Sequence, residues 1–237
     1  MQPFGPRLNI AHAHSVCWHP SGAWLLAGDI GTDRVVVYAF DQTVGSLTRH
    51  TEKLVTAGGG ARHIAMSTDG TRVYVDEEAG NRVHAWRFRA AAGDFCAIHP
   101  PLSTLREAVA NQPSAVSVTA EVMLSPDETR LYVANRADLD SSIATYSVDG
   151  STGALSLLGH TTVGRHPRHI VIDPSGSWLL STALHDNEVE VFAIDGNGLP
   201  QSGRQMALAV EAPTHVLFLP PPPPPQGRRP GALVAKM

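Results

Sequence analysis

The sequence predicts an all-β chain folded as part of a β-propeller: an arc of about four blades followed by one further strand. Three observations carry this. Glycine and proline, 21 and 18 of 237 residues, make up about one residue in six, a density of turn formers that suits short strands better than helices. Four segments, 14–40, 62–88, 120–148 and 168–194, repeat one pattern of strand-sized runs and turns. Their first turns align at Gly22, Gly70, Glu128 and Gly176, spaced by 48, 58 and 48 residues, a period that fits four antiparallel strands per propeller blade.

Each repeat opens with a short apolar run and turns at HPSG, STDG, SPDE or DPSG, combinations that favour β-turns. A second run follows (AWLLAG, RVYV, RLYVAN, SWLLST), then a polar break containing Asp or Asn. The third run (RVVVYAF, RVHAWRF, SIATYSV, EVEVFAI) alternates with period two, as a half-buried strand does. A fourth, weaker run comes after turns such as DGSTG and DGNG. The ten extra residues of the middle spacing fall in 95–119, where PPLSTLREAVANQP is expected to form a longer loop over one face. A fifth opening strand is expected from Thr214, in THVLFLP. Residues 1–219 are therefore assigned to blades and 220–237 to a proline-rich tail. Its six prolines, 220–225, cannot donate to a ladder. The tail is expected to be disordered, with an SH3-type ligand as the alternative reading.

Composition removes several function classes. A net charge of −4 gives no broad basic surface, so neither a nucleic-acid partner nor a membrane partner is expected. No apolar stretch reaches the roughly 18 residues of a membrane span, and MQPFGPRLNIAHAH has none of the parts of a secretory signal. Two cysteines, Cys17 and Cys96, make neither a disulfide framework nor a CxxC. The expectation is a soluble, reduced, cytoplasmic protein.

Antiparallel connection places the loop entering the first strand of a blade and the loop leaving its second strand on one rim. Eight residues before each turn stand His14, Arg62, Ala120 and Arg168; seven before, Ser15, His63, Glu121 and His169; eight after, Ile30, Glu78, Arg136 and Leu184. One mouth of the channel thus collects three arginines, two carboxylates and three histidines. Guanidinium groups bind carboxylate or phosphate in bidentate fashion, and the carboxylates and imidazoles beside them can move protons near neutral pH. The structural alternative is that Arg62 or Arg168 is only salt-bridged in the channel, that His63 and His169 only hydrogen-bond a neighbouring loop, and that Glu121 only neutralises the arginines. No metal or cofactor is expected: there is no HExxH, and the rim histidines come from separate blades without a partner pattern. His12, His50, His84 and His160 read as surface or turn residues, Cys17 as an apolar filler, and Trp24, Trp86 and Trp178 as packing between blades.

The segments HAHSVCWHPSGAWLLAGDIGTDRVVVYAFD, GGGARHIAMSTDG, AEVMLSPDETRLYVANR and GRHPRHIVIDPSGSWLL resemble the seven-bladed lactonase family, which includes propeller-type 6-phosphogluconolactonases and carboxy-cis,cis-muconate cyclases. The resemblance runs over about residues 10–220. It implies a catalytic set of one His, two Arg and a Glu, which here are His14, Arg62, Glu78 and Arg136. Glu77 adjoins Glu78, so a one-residue shift would exchange them. His63, Glu121, Arg168 and His169 are the substrate-binding candidates. Relative to seven blades, about three blades, on the order of 130–150 residues at the repeat period, are expected to be missing from the N-terminal side. An arc leaves blade edges open, and a homo-oligomer is one way of covering them. Three functions follow: a hydrolase of a sugar lactone, first among them a 6-phosphogluconolactone; a cyclase closing a carboxymuconate to a lactone; or a non-catalytic propeller fragment serving as an interaction module. In the first, Arg136 and Arg168 hold the anionic group of the lactone or carboxylate, Glu78 or His14 activates water, and Arg62 stabilises the oxyanion.

Overall fold

A computed structural model describes residues 10–110, 117–137 and 140–219; the proline-rich 220–237 lie outside them. Four antiparallel sheets follow one another along the chain. Blade one is β1 (Ala13–Trp18), β2 (Trp24–Asp29), β3 (Arg34–Asp41) and β4 (Ser46–Leu54). Blade two is β5 (Ala61–Met66), β6 (Arg72–Glu77) and β7 (Arg82–Arg89), with its outer edge split between β8 (Asp94–Ala97) and β9 (Leu102–Ser103), both paired to β7. After the four-residue helix α1 (Glu107–Ala110), blade three is β10 (Ser117–Leu124), β11 (Arg130–Ala137), β12 (Ser142–Val148) and β13 (Leu155–Thr162). Blade four is β14 (Pro167–Ile172), β15 (Trp178–Ala183), β16 (Glu188–Ala193) and β17 (Met206–Ala209).

The polar breaks do the turning between second and third strands. Asp33, Asn81 and Asn187 take φ of 58°, 49° and 56°, a left-handed conformation that Asp and Asn tolerate better than other side chains. At the first turn, Gly22, Gly70 and Gly176 also have positive φ, and Glu128 adopts it at 57°. Its side chain gives a reason for a non-glycine there. Glu128 accepts hydrogen bonds from the Thr68 amide (2.5 Å) and hydroxyl (2.6 Å), and its other oxygen accepts from Arg72 Nη2 at 2.6 Å. The turn of blade three is thereby clasped to blade two.

The core lies between blades. Leu26, Val35 and Val37 of blade one meet Val73, Val75, Trp86 and Phe88 of blade two. Tyr74 and Ala85 of blade two meet Leu131, Val133 and Tyr146 of blade three. Tyr132 and Ile143 of blade three meet Ile170, Leu179 and Phe192 of blade four. Adjacent residues of β6 (Val73, Tyr74) and of β11 (Leu131, Tyr132) thus serve opposite neighbours, which is why these runs are continuously apolar.

Several expectations change here. Trp24 and Trp86 do pack across a seam, Trp24 lying 6.3 Å from Phe88 between ring centroids. Trp178, two residues past its turn like Trp24, is 42% exposed, because no described blade lies beyond blade four. His84 is buried rather than superficial, with Nε2 2.6 Å from Glu77 Oε1. Its position in β7 faces the seam, where a carboxylate supplies the partner a buried imidazole requires. His160 is half-buried and hydrogen-bonds the Thr104 carbonyl at 2.9 Å, whereas His12 and His50 are exposed. Cys17 is half-buried against the first core. Thr214–Leu219 form no strand, since no described segment offers them a ladder. The long connection is tied to blade three: the Tyr146 hydroxyl donates to Ser103 O at 2.7 Å and Asn135 Nδ2 to Thr104 O at 2.7 Å.

Candidate active site at one mouth of the channel

The opening strand of every blade carries a β-bulge at the same place. The register slips between Ala13 and Ser15, between Ala61 and Ile64, between Thr119 and Val122, and between Pro167 and Ile170. The residues inside these slips are His14; Arg62 and His63; Ala120 and Glu121; Arg168 and His169. A bulge breaks the alternation of faces, so a blade can offer two successive side chains to the mouth. The candidates eight and seven residues before each turn are these bulge residues.

Glu78 organises one side. Its Oε1 lies 2.5 Å from Arg136 Nη2 and 3.4 Å from Arg62 Nε, and both arginines are 2% exposed. Arg136 Nη2 also donates to Thr119 O at 3.0 Å. Glu77 turns the other way: its Oε1 accepts from the Thr56 amide at 2.6 Å and meets His84. Glu77, the last residue of β6, points into the seam, and Glu78, the first residue of the following turn, points toward the arginines. Arg62 Nη1 and Arg136 Nε are buried donors without a hydrogen-bond partner among the described residues. Arg168 is half-buried, and its guanidinium makes no ion pair or hydrogen bond among them.

Glu121 organises the other side. Its Oε1 is 2.9 Å from His63 Nδ1 and its Oε2 3.5 Å from His169 Nε2. The His14 ring stands 4.9 Å from that of His63, and the His169 ring 3.8 Å from that of His215. Burial, followed by the positive field of Arg62, pushes His14 down to about 3. Burial also pushes His169 down to about 4, against the pull of Glu121. Both are neutral imidazoles at neutral pH. Burial lowers Arg62 and Arg136 as well, with neighbouring carboxylates opposing it; a guanidinium stays charged regardless.

All eight sequence candidates therefore stand at one mouth. Three participants escape the sequence reading. His215 reaches the rim from a segment expected to be a strand. Asp76 and Thr119 lie behind the rim; the only sequence signal for Asp76 is the acidic run Asp76-Glu77-Glu78 at the end of β6 and the start of the following turn, and Thr119 carries none. No group of three or more His, Cys, Asp or Glu is placed to hold a metal ion among the described residues, and no helix among them is long and apolar enough to cross a membrane.

Fold and mouth together define a propeller arc with an arginine-rich channel opening. The comparisons are specific. The family model for "Lactonase, 7-bladed beta-propeller" matches residues 2–218, and the chain belongs to that family. It is 30% identical over 189 residues to a 6-phosphogluconolactonase of Formosa agariphila, covering 78% of this chain and 51% of that one. It is 29% identical over 214 residues to the 6-phosphogluconolactonase of Bacillus subtilis, covering 88% and 57%. The periplasmic gluconolactonase of Pseudomonas aeruginosa superposes with a TM-score of 0.82 at 25% identity, covering 92% of this chain and 60% of that one. The chain spans about half the length of the curated relatives it matches.

Proposed function

We propose that the mouth hydrolyses a sugar lactone bearing an anionic group, a 6-phosphogluconolactone first among candidates. The observation that carries this is the convergence of three guanidiniums with N–H groups to spare beside two differently partnered carboxylates. The names of the relatives support it.

The two carboxylates divide the work. Glu78 is held between two guanidiniums and anchors them. The positive field of the buried Arg62 and Arg136 guanidiniums polarises the lactone carbonyl and stabilises the oxyanion formed by addition of water. Glu121 instead orients His63 through Nδ1, leaving Nε2 as the acceptor for the proton of the attacking water, the arrangement by which a carboxylate makes an imidazole a directed base. His14, held to about 3, is too weak a base for that step. Collapse of the intermediate breaks the bond from carbonyl carbon to ring oxygen, and the proton on His63 passes to that oxygen. Arg168 takes the distal phosphate or carboxylate.

The test is acid release by the purified chain on glucono-1,5-lactone and on its 6-phosphate, above the spontaneous rate. The expected result is opening of both, with the phosphorylated lactone preferred at least tenfold in kcat/KM. Opening of neither lactone sinks the reading.

A further inference from the structure

Each half of the mouth is shared between blades two and three, His63 with Glu121 and Arg62 and Glu78 with Arg136, so the join between the two blades bears on both. Asp76, on β6, is fully buried. Its Oδ1 accepts the backbone N–H of His63 at 2.6 Å, the amide that the β5 bulge removes from the ladder. Its Oδ2 accepts the hydroxyl of Thr119, on β10, at 2.5 Å. The same Thr119 donates its amide to Glu78 O at 2.8 Å and accepts Arg136 Nη2 on its carbonyl at 3.0 Å. One side chain of blade two and one residue of blade three therefore touch the backbone beneath the base, the backbone of the anchoring carboxylate and one of the guanidiniums.

We propose that the Asp76–Thr119 hydrogen bond is a buried joint that sets the distance between the proton-accepting half of the mouth, His63 with Glu121, and the oxyanion-stabilising half, Arg62 and Arg136 with Glu78. Both are positioning residues. Arg62 and His63 are also joined through the β5 backbone; the Asp76–Thr119 contact adds a tie from blade two to blade three beneath both. Blade four shows what the bulge alone needs: there the amide of His169 is accepted by Thr182 Oγ1 at 2.9 Å, a neutral hydroxyl within the same blade. A buried carboxylate is an expensive replacement for a hydroxyl unless it does more than satisfy one amide, and the second oxygen of Asp76 does reach across to blade three. A displacement of reacting groups by about 1 Å costs on the order of a hundredfold in rate, so the joint should be felt in turnover more than in binding.

The inference rests on the lactonase reading for its kinetic arm and is independent of it in its second arm. In the first, Thr119→Val, nearly isosteric, is compared with Thr119→Ser on the phosphorylated lactone. The Val variant is expected to turn over 10- to 100-fold more slowly, with KM within threefold and Tm within a few degrees of wild type. The Ser variant should recover turnover to within threefold of wild type. Purely structural support would move Tm and leave that split and rescue unseen. In the second arm, amide hydrogen exchange at His63 is followed in Asp76→Ala and Asp76→Asn. Acceleration of at least tenfold is expected for Ala and little for Asn, whose amide oxygen can still accept. A wild-type chain that opens no lactone removes the lactonase reading, while the exchange arm still decides the joint. The joint is overturned if folded Thr119→Val keeps kcat within threefold of an active wild type, or if His63 exchange is unchanged in Asp76→Ala.

Discussion

Blades two and four open with the same three residues, Arg62-His63-Ile64 and Arg168-His169-Ile170, carry the same bulge and point into the same mouth, yet they end in different states. Arg62 is buried against Glu78, with Asp76 behind the bulge. Arg168 is half-buried and unpaired among the described residues, with Thr182 where blade two has Asp76 and Leu184 where it has Glu78. The motif fixes where the side chain stands; the residues six and eight places past the turn decide whether it is clamped or free. A clamped guanidinium suits an oxyanion that must be met in a fixed place. A free one suits capture of a distal charge that arrives by diffusion.

The largest expected effect tests the clamped arm. Arg62→Ala or Glu78→Gln should lower kcat by two to three orders of magnitude, about 3–4 kcal/mol of transition-state stabilisation, measured as lactone opening at saturating substrate. Loss of less than tenfold would put the chemistry elsewhere. Next, Arg168→Ala should raise KM for the phosphorylated lactone by 10- to 100-fold, leave kcat within threefold and leave the unphosphorylated lactone almost untouched. If kcat falls instead, the division between blades two and four fails.

The histidines sharpen the comparison by pH. His14 and His169 are held near 3 and 4 in the folded chain, below the ordinary value of about 6.5. The unfolded chain therefore takes up protons that the folded one refuses. Stability from this source is complete above about pH 6.5 and declines as pH falls toward 4, by at most about 1.4 kcal/mol per pH unit for each histidine. Urea unfolding at pH 7, 6 and 5 should show the decline, and His169→Gln should flatten it. The smallest effects separate the outer positions two residues past the turn. Arg72, clasped by Glu128, should cost about 1–2 kcal/mol on truncation to alanine, whereas Trp178→Ala, on an uncovered face, should cost about 0.5 kcal/mol or less.

Much of this is legible in sequence because a propeller repeats its grammar. Equal spacing from the turn places eight rim residues from different blades side by side without any knowledge of contacts. The pairing is not legible. That Glu78 takes two arginines and Glu121 two histidines depends on how neighbouring blades are rotated, which spacing does not encode. Nor can periodicity expose Asp76, because a buried carboxylate in β6 looks like one more acid in a run of three. Trp178 departs from expectation for the opposite reason: it obeys the repeat, but burial needs a neighbour as well as a position. His84 departs because a histidine in an alternating strand gives no sign of which face holds its carboxylate.

The bulges have a consequence for how such a mouth can change over generations. Each blade presents its chemistry as a short cassette set into a strand whose flanking ladder is made by other residues. The cassette Arg-His can be exchanged for Ala-Glu, as between blades two and three, while the pairings on either side stay the same in kind. Selection can therefore rewrite substrate preference one blade at a time, by substitutions that leave the sheet hydrogen bonds intact. Loss or gain of a single residue at the same place would reset the strand's phase and turn its apolar side chains out of the seams. The rim should tolerate substitution readily and insertion or deletion hardly at all, a contrast that a pooled variant library scored for folded protein would show directly.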